Sequence, residues 1–118
     1  MSTIIGNRYE EIALNFLLKK KLSLIIKNFK TKIGEIDIIL TDKEFLVFVE
    51  VRFREDNDYA SGLESITYQK QRKIIKTAQM FLVHNKEYQN FYCRFDVISI
   101  SRYDNKIQIH WIKNAFSN

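Results

Sequence analysis

The chain has 118 residues, 46% of them hydrophobic, with a formal net charge of +5 and a pI of about 9.3. That length and apolar content suit one folded domain over 1–118 and exclude a disordered chain, while the positive excess favours a polyanion such as nucleic acid. Cys93 stands alone, which excludes an internal disulfide and fits a reducing, cytoplasmic compartment; no membrane span or signal peptide is expected.

Residues 7–21 read as an amphipathic helix, with Tyr9, Ile12, Ala13, Phe16 and Leu17 in the i, i+3, i+4, i+7, i+8 pattern. At roughly 100° per residue Glu10 falls at the edge of that stripe and Glu11 points to solvent. Both acids also suit the positive end of a helix. Residues 22–29 read as a first strand.

The next two strands carry charge where buried strands should not. In G-E-I-D-I-I-L, from Gly34, Asp37 interrupts an isoleucine run; in F-L-V-F-V-E-V-R-F-R, from Phe45, Glu50 and Arg52 interrupt a run of valine and phenylalanine. An unpaired buried carboxylate is costly or holds a proton, so these groups need a counter-charge, a metal or a wet cleft. Alternation puts Glu35, Asp37 and Ile39 on one face and Ile36, Ile38 and Leu40 on the other. In the following strand Leu46, Phe48, Glu50 and Arg52 share a face, opposite Val47, Val49, Val51 and Phe53. With Thr41 to Glu44 as a hairpin loop and Leu40 paired with Phe45, Glu35 stands opposite Glu50 and Asp37 lies diagonal to it. Two readings follow: a divalent cation held beside a phosphate, or a cross-strand salt-bridge network.

Residues 55–64, with Gly62, read as an acidic loop that either gates a substrate or has no role. Thr67 is a helix N-cap, and the helix runs to about Asn85 with Ile74, Ile75, Ala78, Phe81 and Leu82 buried. Arg72, Lys73 and Lys76 point outward, whereas Lys70 and Gln71 fall on the buried side of the first turn. A cation there opposes the helix dipole; either a phosphate at the helix end relieves the conflict or Lys70 snorkels to water. Arg52, Arg54, Lys70, Arg72 and Lys73, with Tyr59 and Tyr68, form a candidate nucleic-acid groove or a plain solvated face. Two further strands, Tyr92 to Ser101 and Lys106 to Ile112, join at a tight turn, Asp104-Asn105. The order αβββαββ implies a right-handed crossover, a parallel strand pair in a mixed sheet and an α/β fold. Cys93 reads as a small buried apolar residue, and His84 and His110 as surface or packing residues.

Asp37 followed by Glu50-x-Arg52 resembles the PD-(D/E)xK nuclease signature. With G-N-R-Y-E-E-I-A near the N-terminus, G-E-I-D-I-I, F-V-E-V-R, K-Q-R-K-I from Lys70 and R-F-D-V-I from Arg94, nearly the whole chain resembles the YraN-like family of small predicted endonucleases, similar to archaeal Holliday junction resolvases. The resemblance implies a restriction-endonuclease-like fold and metal-dependent phosphodiester hydrolysis of DNA, branched DNA included. It also implies Mg²⁺ or Mn²⁺ held by Asp37, Glu50 and the Val51 carbonyl. Glu10 matches the acid of the first helix that completes such sites, and Lys70, Gln71, Arg54, Arg72 and Lys73 become nucleic-acid contacts. Resolvase relatives act as symmetric dimers, so a homodimer is implied as well. Two positions depart from the pattern: Tyr9 stands where glycine is common, and Arg52 where lysine is usual. Arginine stays protonated and cannot act as a base, but it can clamp a phosphate. The alternatives are a catalytically weak or inactive nucleic-acid-binding protein of the same fold, and a protein-interaction module.

Overall fold

A computed structural model describes residues 3–55 and 65–117. Helix α1 (Thr3–Lys19) is followed by strands β1 (Ser23–Lys30), β2 (Glu35–Asp42) and β3 (Phe45–Arg54), helix α2 (Tyr68–His84), a short 3₁₀ turn (Lys86–Tyr88), and strands β4 (Tyr92–Tyr103) and β5 (Lys106–Phe116). The expected loop over 55–64, with Tyr59 and Gly62, lies outside the described residues except for Glu55.

The five strands form one sheet in the order β1-β2-β3-β4-β5. Only the β3–β4 pair is parallel, and α2 makes the crossover between them, as the αβββαββ order requires. Each face of the sheet is closed by one helix. On one side Tyr9, Ala13, Leu14 and Leu17 of α1 pack on Ile38, Leu40, Val47, Val49, Ile98 and Ile100. On the other, Ile74, Ile75, Ala78 and Phe81 of α2 pack on Ile36, Ile39, Leu46, Phe48, Phe95 and Val97. Covered on both faces, β2 and β3 read as nearly continuous apolar runs, and their charged residues stand out for that reason.

Helix α1 begins four residues before the expected start and stops at Lys19. Lys21 adopts the left-handed conformation (φ 76). Its N–H donates to the Leu18 carbonyl, and the Leu22 N–H donates to the Leu17 carbonyl at 3.2 Å. This cap is usually built on glycine; here buried Leu17 and Leu22 hold it in the α1-side core. Helix α2 starts as read, with the Thr67 hydroxyl accepting from the Lys70 N–H and Asn85 at the C-cap. Thr77 joins its buried stripe. Gly34 lies so close to α2 that a Cβ there would meet Thr77 Oγ1 at 3.2 Å, which accounts for the glycine opening the G-E-I-D motif. The β4–β5 turn falls at Asp104-Asn105, both left-handed (φ 53 and 61), as a two-residue hairpin turn demands. Cys93 is exposed rather than buried, and both histidines are exposed.

Two expectations about β2 are corrected. The hairpin turn is shorter than four residues: Asp42 pairs with Phe45 and Thr41 with Leu46, because Lys43 takes the left-handed conformation (φ 57) without being Gly or Asn. The register therefore moves by two residues, an even shift that does not by itself exchange the two faces. Strict alternation also fails at one place, since Ile36 packs with Ile39 on the α2 side while Ile38 packs on the α1 side.

R-F-D-V-I forms a structural node. The fully buried Asp96 accepts from Arg94 Nε at 3.0 Å, Arg94 Nη2 at 3.1 Å, Trp111 Nε1 at 2.9 Å and the Asn114 N–H at 2.9 Å. Arg94 Nη2 also reaches Asp42 at 3.2 Å, so one carboxylate ties β4 to β5 and to the β2–β3 turn. Removing a buried partner strands the remaining charge. Asp96→Ala is expected to lower unfolding free energy by about 3–5 kcal/mol in urea titrations.

Candidate functional site

The β2–β3 ladder runs from Asp42–Phe45 to Ile38–Val49, and Asp37 and Glu50 follow just beyond its last pair. On the other side of β2, Asn28 lies between the pairs Lys27–Ile38 and Phe29–Ile36, and so beside Asp37. Asn28, Asp37 and Glu50 thus come together from three neighbouring strands.

Asp37 is half-buried and Glu50 buried. Asp37 Oδ2 accepts a 2.8 Å hydrogen bond from the Val51 N–H. Burial, a hydrogen bond to the Glu50 side chain and the Glu50 charge push the Asp37 pKa up to about 9, against the opposing pull of Val51 and Arg52. Asp37 therefore favours its protonated form at neutral pH.

Arg52 follows on β3. Its Nη2 lies 3.9 Å from Glu50 Oε2, close enough for charge attraction but too long for a hydrogen bond. Arg52 Nε and Nη2 are buried with no hydrogen-bond partner among the described residues. In the parallel β3–β4 register, Glu50, Arg52 and Arg54 stand beside Val97, Ser99 and Ser101. Both serines are fully buried, and Ser101 Oγ is likewise without a hydrogen-bond partner among the described residues.

Helix α1 brings Glu10 to the same region. Glu10 is half-buried while Glu11 is exposed and paired with Lys27, as the helical periodicity predicts. With its amide nitrogen turned to the carboxylates, Asn28 donates to Glu10 Oε1 at 2.8 Å and Glu35 Oε1 at 3.1 Å. Burial raises the Glu10 pKa first, then the negative charges of Asp37 and Glu35, with Asn28 and Lys27 pulling the other way. Asn28 is left-handed (φ 55), so Lys27 and Asn28, though consecutive, both reach acids of α1. Asparagine tolerates that conformation, the one sequence signal that marked Asn28 in a strand otherwise read by alternation.

The start of α2 departs from its reading at one residue. Lys70 is exposed, not on the buried side, because Ile66 and Gln71 occupy the inward part of the first turn. Gln71 Nε2 donates to the Ile66 carbonyl at 3.1 Å. Arg72 and Lys73 are exposed as expected, Arg72 lying 6.0 Å over the Tyr68 ring. Arg54 is half-buried, with Nη1 3.4 Å from the Phe53 carbonyl.

Paired carboxylates of this kind hold a proton or another cation, and their oxygens suit a hard divalent ion. Among the described residues no three His, Cys, Asp or Glu side chains gather as a ready-made metal cage, so the site offers a pair with an arginine beside it.

Because its folded-state pKa lies above the ordinary carboxylate value, the Asp37 contribution to stability is fully present below about pH 4. It is lost as pH rises toward about 9. Asp37→Asn is expected to flatten this slope and to stabilise the protein at alkaline pH by at least about 1 kcal/mol, the weight of one pKa unit. Urea titrations from acid to alkaline pH read both effects.

Comparison with known proteins gives the site its relatives. The model of the family described as Uncharacterised protein family UPF0102 matches residues 9–100, which include Glu10, Asp37, Glu50 and Arg52. A UPF0102 protein of Francisella tularensis subsp. novicida is 47% identical over 118 residues, covering 98% of this chain and 97% of the relative. A UPF0102 protein of Legionella pneumophila subsp. pneumophila is 44% identical over 111 residues, covering 94% and 92%. With similarity of that depth along nearly its whole length, this chain belongs to the UPF0102 family, the YraN-like family that its motifs resemble.

Proposed function

We propose that this protein is a divalent-metal-dependent nuclease hydrolysing phosphodiester bonds of DNA, branched DNA included. The observation that carries the reading is the Asp37–Glu50 contact. Two carboxylates side by side in an apolar sheet are a poor device for stability, since the Glu50 charge drives Asp37 toward its protonated form; as a cation site they are well suited. The oxygen-rich pair, the unspent Arg52 donors and the mixed αβββαββ sheet all accord with the PD-(D/E)xK resemblance.

Asp37, Glu50 and the Val51 carbonyl would hold Mg²⁺, with Mn²⁺ as a substitute. Bound there, the ion supplies Lewis-acid polarisation of a phosphoryl oxygen and a coordinated water of lowered pKa. Arg52 supplies positive charge to the phosphate: its guanidinium cannot serve as a base, but its free N–H groups can stabilise charge that develops on phosphate oxygens. Glu10 adds a third acidic group, and Asn28 holds it against Glu35. Lys70, Gln71, Arg72 and Lys73 at the start of α2, with Arg54, would contact the DNA backbone. A junction presents two equivalent strands, so the reading includes a symmetric pair of chains. A cytoplasmic setting keeps the exposed Cys93 a thiol.

Arg52 and the lack of a three-ligand cage among the described residues favour one competing reading, a nucleic-acid-binding protein of the same fold that does not cut. No described helix is long and apolar enough to cross a membrane.

A cleavage panel of branched, duplex and single-stranded DNA with Mg²⁺ or Mn²⁺ separates the two. Asp37→Ala and Glu50→Ala are each expected to abolish metal-dependent cleavage while circular dichroism stays native; unchanged cleavage in both refutes the nuclease. Arg52→Lys is expected to raise the rate. Since the ion must displace the shared proton, Mg²⁺ is expected to raise Tm more at about pH 9 than at about pH 6.

A further inference from the structure

A second concentration of charge lies away from the acidic row. A cleft of about 650 Å³ opens between the end of α1, the β2–β3 turn and β5. Its cations are Lys20, Lys21, Lys43, Arg94 and Lys113, and its acids are Asp42 and Glu44. The acids do not balance them, because Asp42 is engaged by Arg94 at 3.2 Å and Arg94 is itself held by Asp96. Four exposed lysines remain against Glu44.

The fold presets these lysines. Lys20 and Lys21 leave α1 through the left-handed cap, and Lys43 occupies the left-handed position of the β2–β3 turn. Lys20 lies 5.3 Å over the Phe16 ring and Lys113 4.3 Å over the Trp111 ring, which limits the ordering entropy lost on binding an anion. Helix-dipole stabilisation accounts for lysines at the end of α1. It does not account for Lys43 or Lys113, which arrive from other elements.

We infer that this cleft binds the phosphate backbone of a nucleic-acid duplex that continues from the acidic site. The identity of this ligand rests on the proposed nucleic-acid reading. Lys43 lies six residues along the β2 direction from Asp37, about 20 Å at about 3.3 Å per residue. That is the length of about six duplex steps at about 3.4 Å each. The contacts are to phosphates rather than bases, because the two ring platforms already carry cations: Trp111 has Lys113 and Arg94, and Phe45 has Arg94. Binding here is therefore independent of sequence and strongly dependent on salt.

The only tryptophan of the chain, Trp111, lines this cleft and reports its occupancy. The full chain is titrated without metal, at low and at moderate salt, with a DNA duplex, with inorganic phosphate alone and with anionic phosphatidylserine vesicles. The duplex is expected to change Trp111 fluorescence. Lys43→Glu with Lys113→Glu is expected to weaken duplex binding about tenfold or more and to reduce the log–log salt slope by about 2. The Mg²⁺-induced rise in Tm, which reads the acidic site, is expected to persist in that variant. Absence of duplex affinity in the wild type, unaltered affinity and slope in the double variant, or preference for vesicles over duplex each overturns the cleft proposal. Loss of the Mg²⁺ effect in the wild type with the cleft still binding overturns the metal-site reading alone.

Discussion

Just beyond the last pair of the β2–β3 ladder, Asp37 meets Glu50, and burial with the Glu50 side chain favours a proton on Asp37; the proposed chemistry turns on that contact. A sheet covered on both faces has no structural need for a carboxylate pair. The Glu50 charge raises the cost of ionising Asp37, and burial raises it further. In the proposed reading, the pair exchanges that proton for a more highly charged cation. Its surroundings share that unfinished character: among the described residues, two buried Arg52 nitrogens and the Ser101 hydroxyl have no hydrogen-bond partner.

Asp96 gives the contrast within the same sheet. It is as apolar in setting as Asp37, yet it accepts from Arg94, Trp111 and Asn114, and every donor is within ordinary hydrogen-bond distance. A carboxylate meant for architecture is surrounded by donors. Asp37 receives one backbone N–H and a like-charged neighbour. The difference separates the two ends of the sheet: one is closed by the Asp96 node, and the other holds the acidic row. The two apolar cores, with α1 and α2 on opposite faces, keep both ends in fixed relation.

Much of this was legible in the chain because strong periodicities were present. The α2 cap at Thr67 and its stop at Asn85, the parallel crossover and the Asp104-Asn105 turn followed from spacing and turn chemistry. The Asp37–Glu50 meeting was legible even though the assumed register was off by two, since an even shift preserves faces. What escaped notice was local backbone conformation. Lys21, Lys43 and Asn28 are left-handed without being glycine, so helix end, turn length and strand alternation each changed where no strong signal marked it. Asn28 entered the site by that route. The role of Asp96 within R-F-D-V-I went unread, and Ser99 and Ser101 drew no attention, because their meaning depends on strands distant in sequence. Lys70 was placed inward by helical angle alone, whereas Ile66 and Gln71 already fill that space.

The central claim concerns one carboxyl group, and it can be observed directly. Carbon-13 NMR of the Asp37 side chain, followed against pH with and without Mg²⁺, measures whether the proton is held and whether the ion displaces it. The account predicts a midpoint far above the usual carboxylate range in the metal-free protein and a marked fall when Mg²⁺ is present. A midpoint near the ordinary aspartate value, or one that Mg²⁺ leaves unmoved, would contradict it.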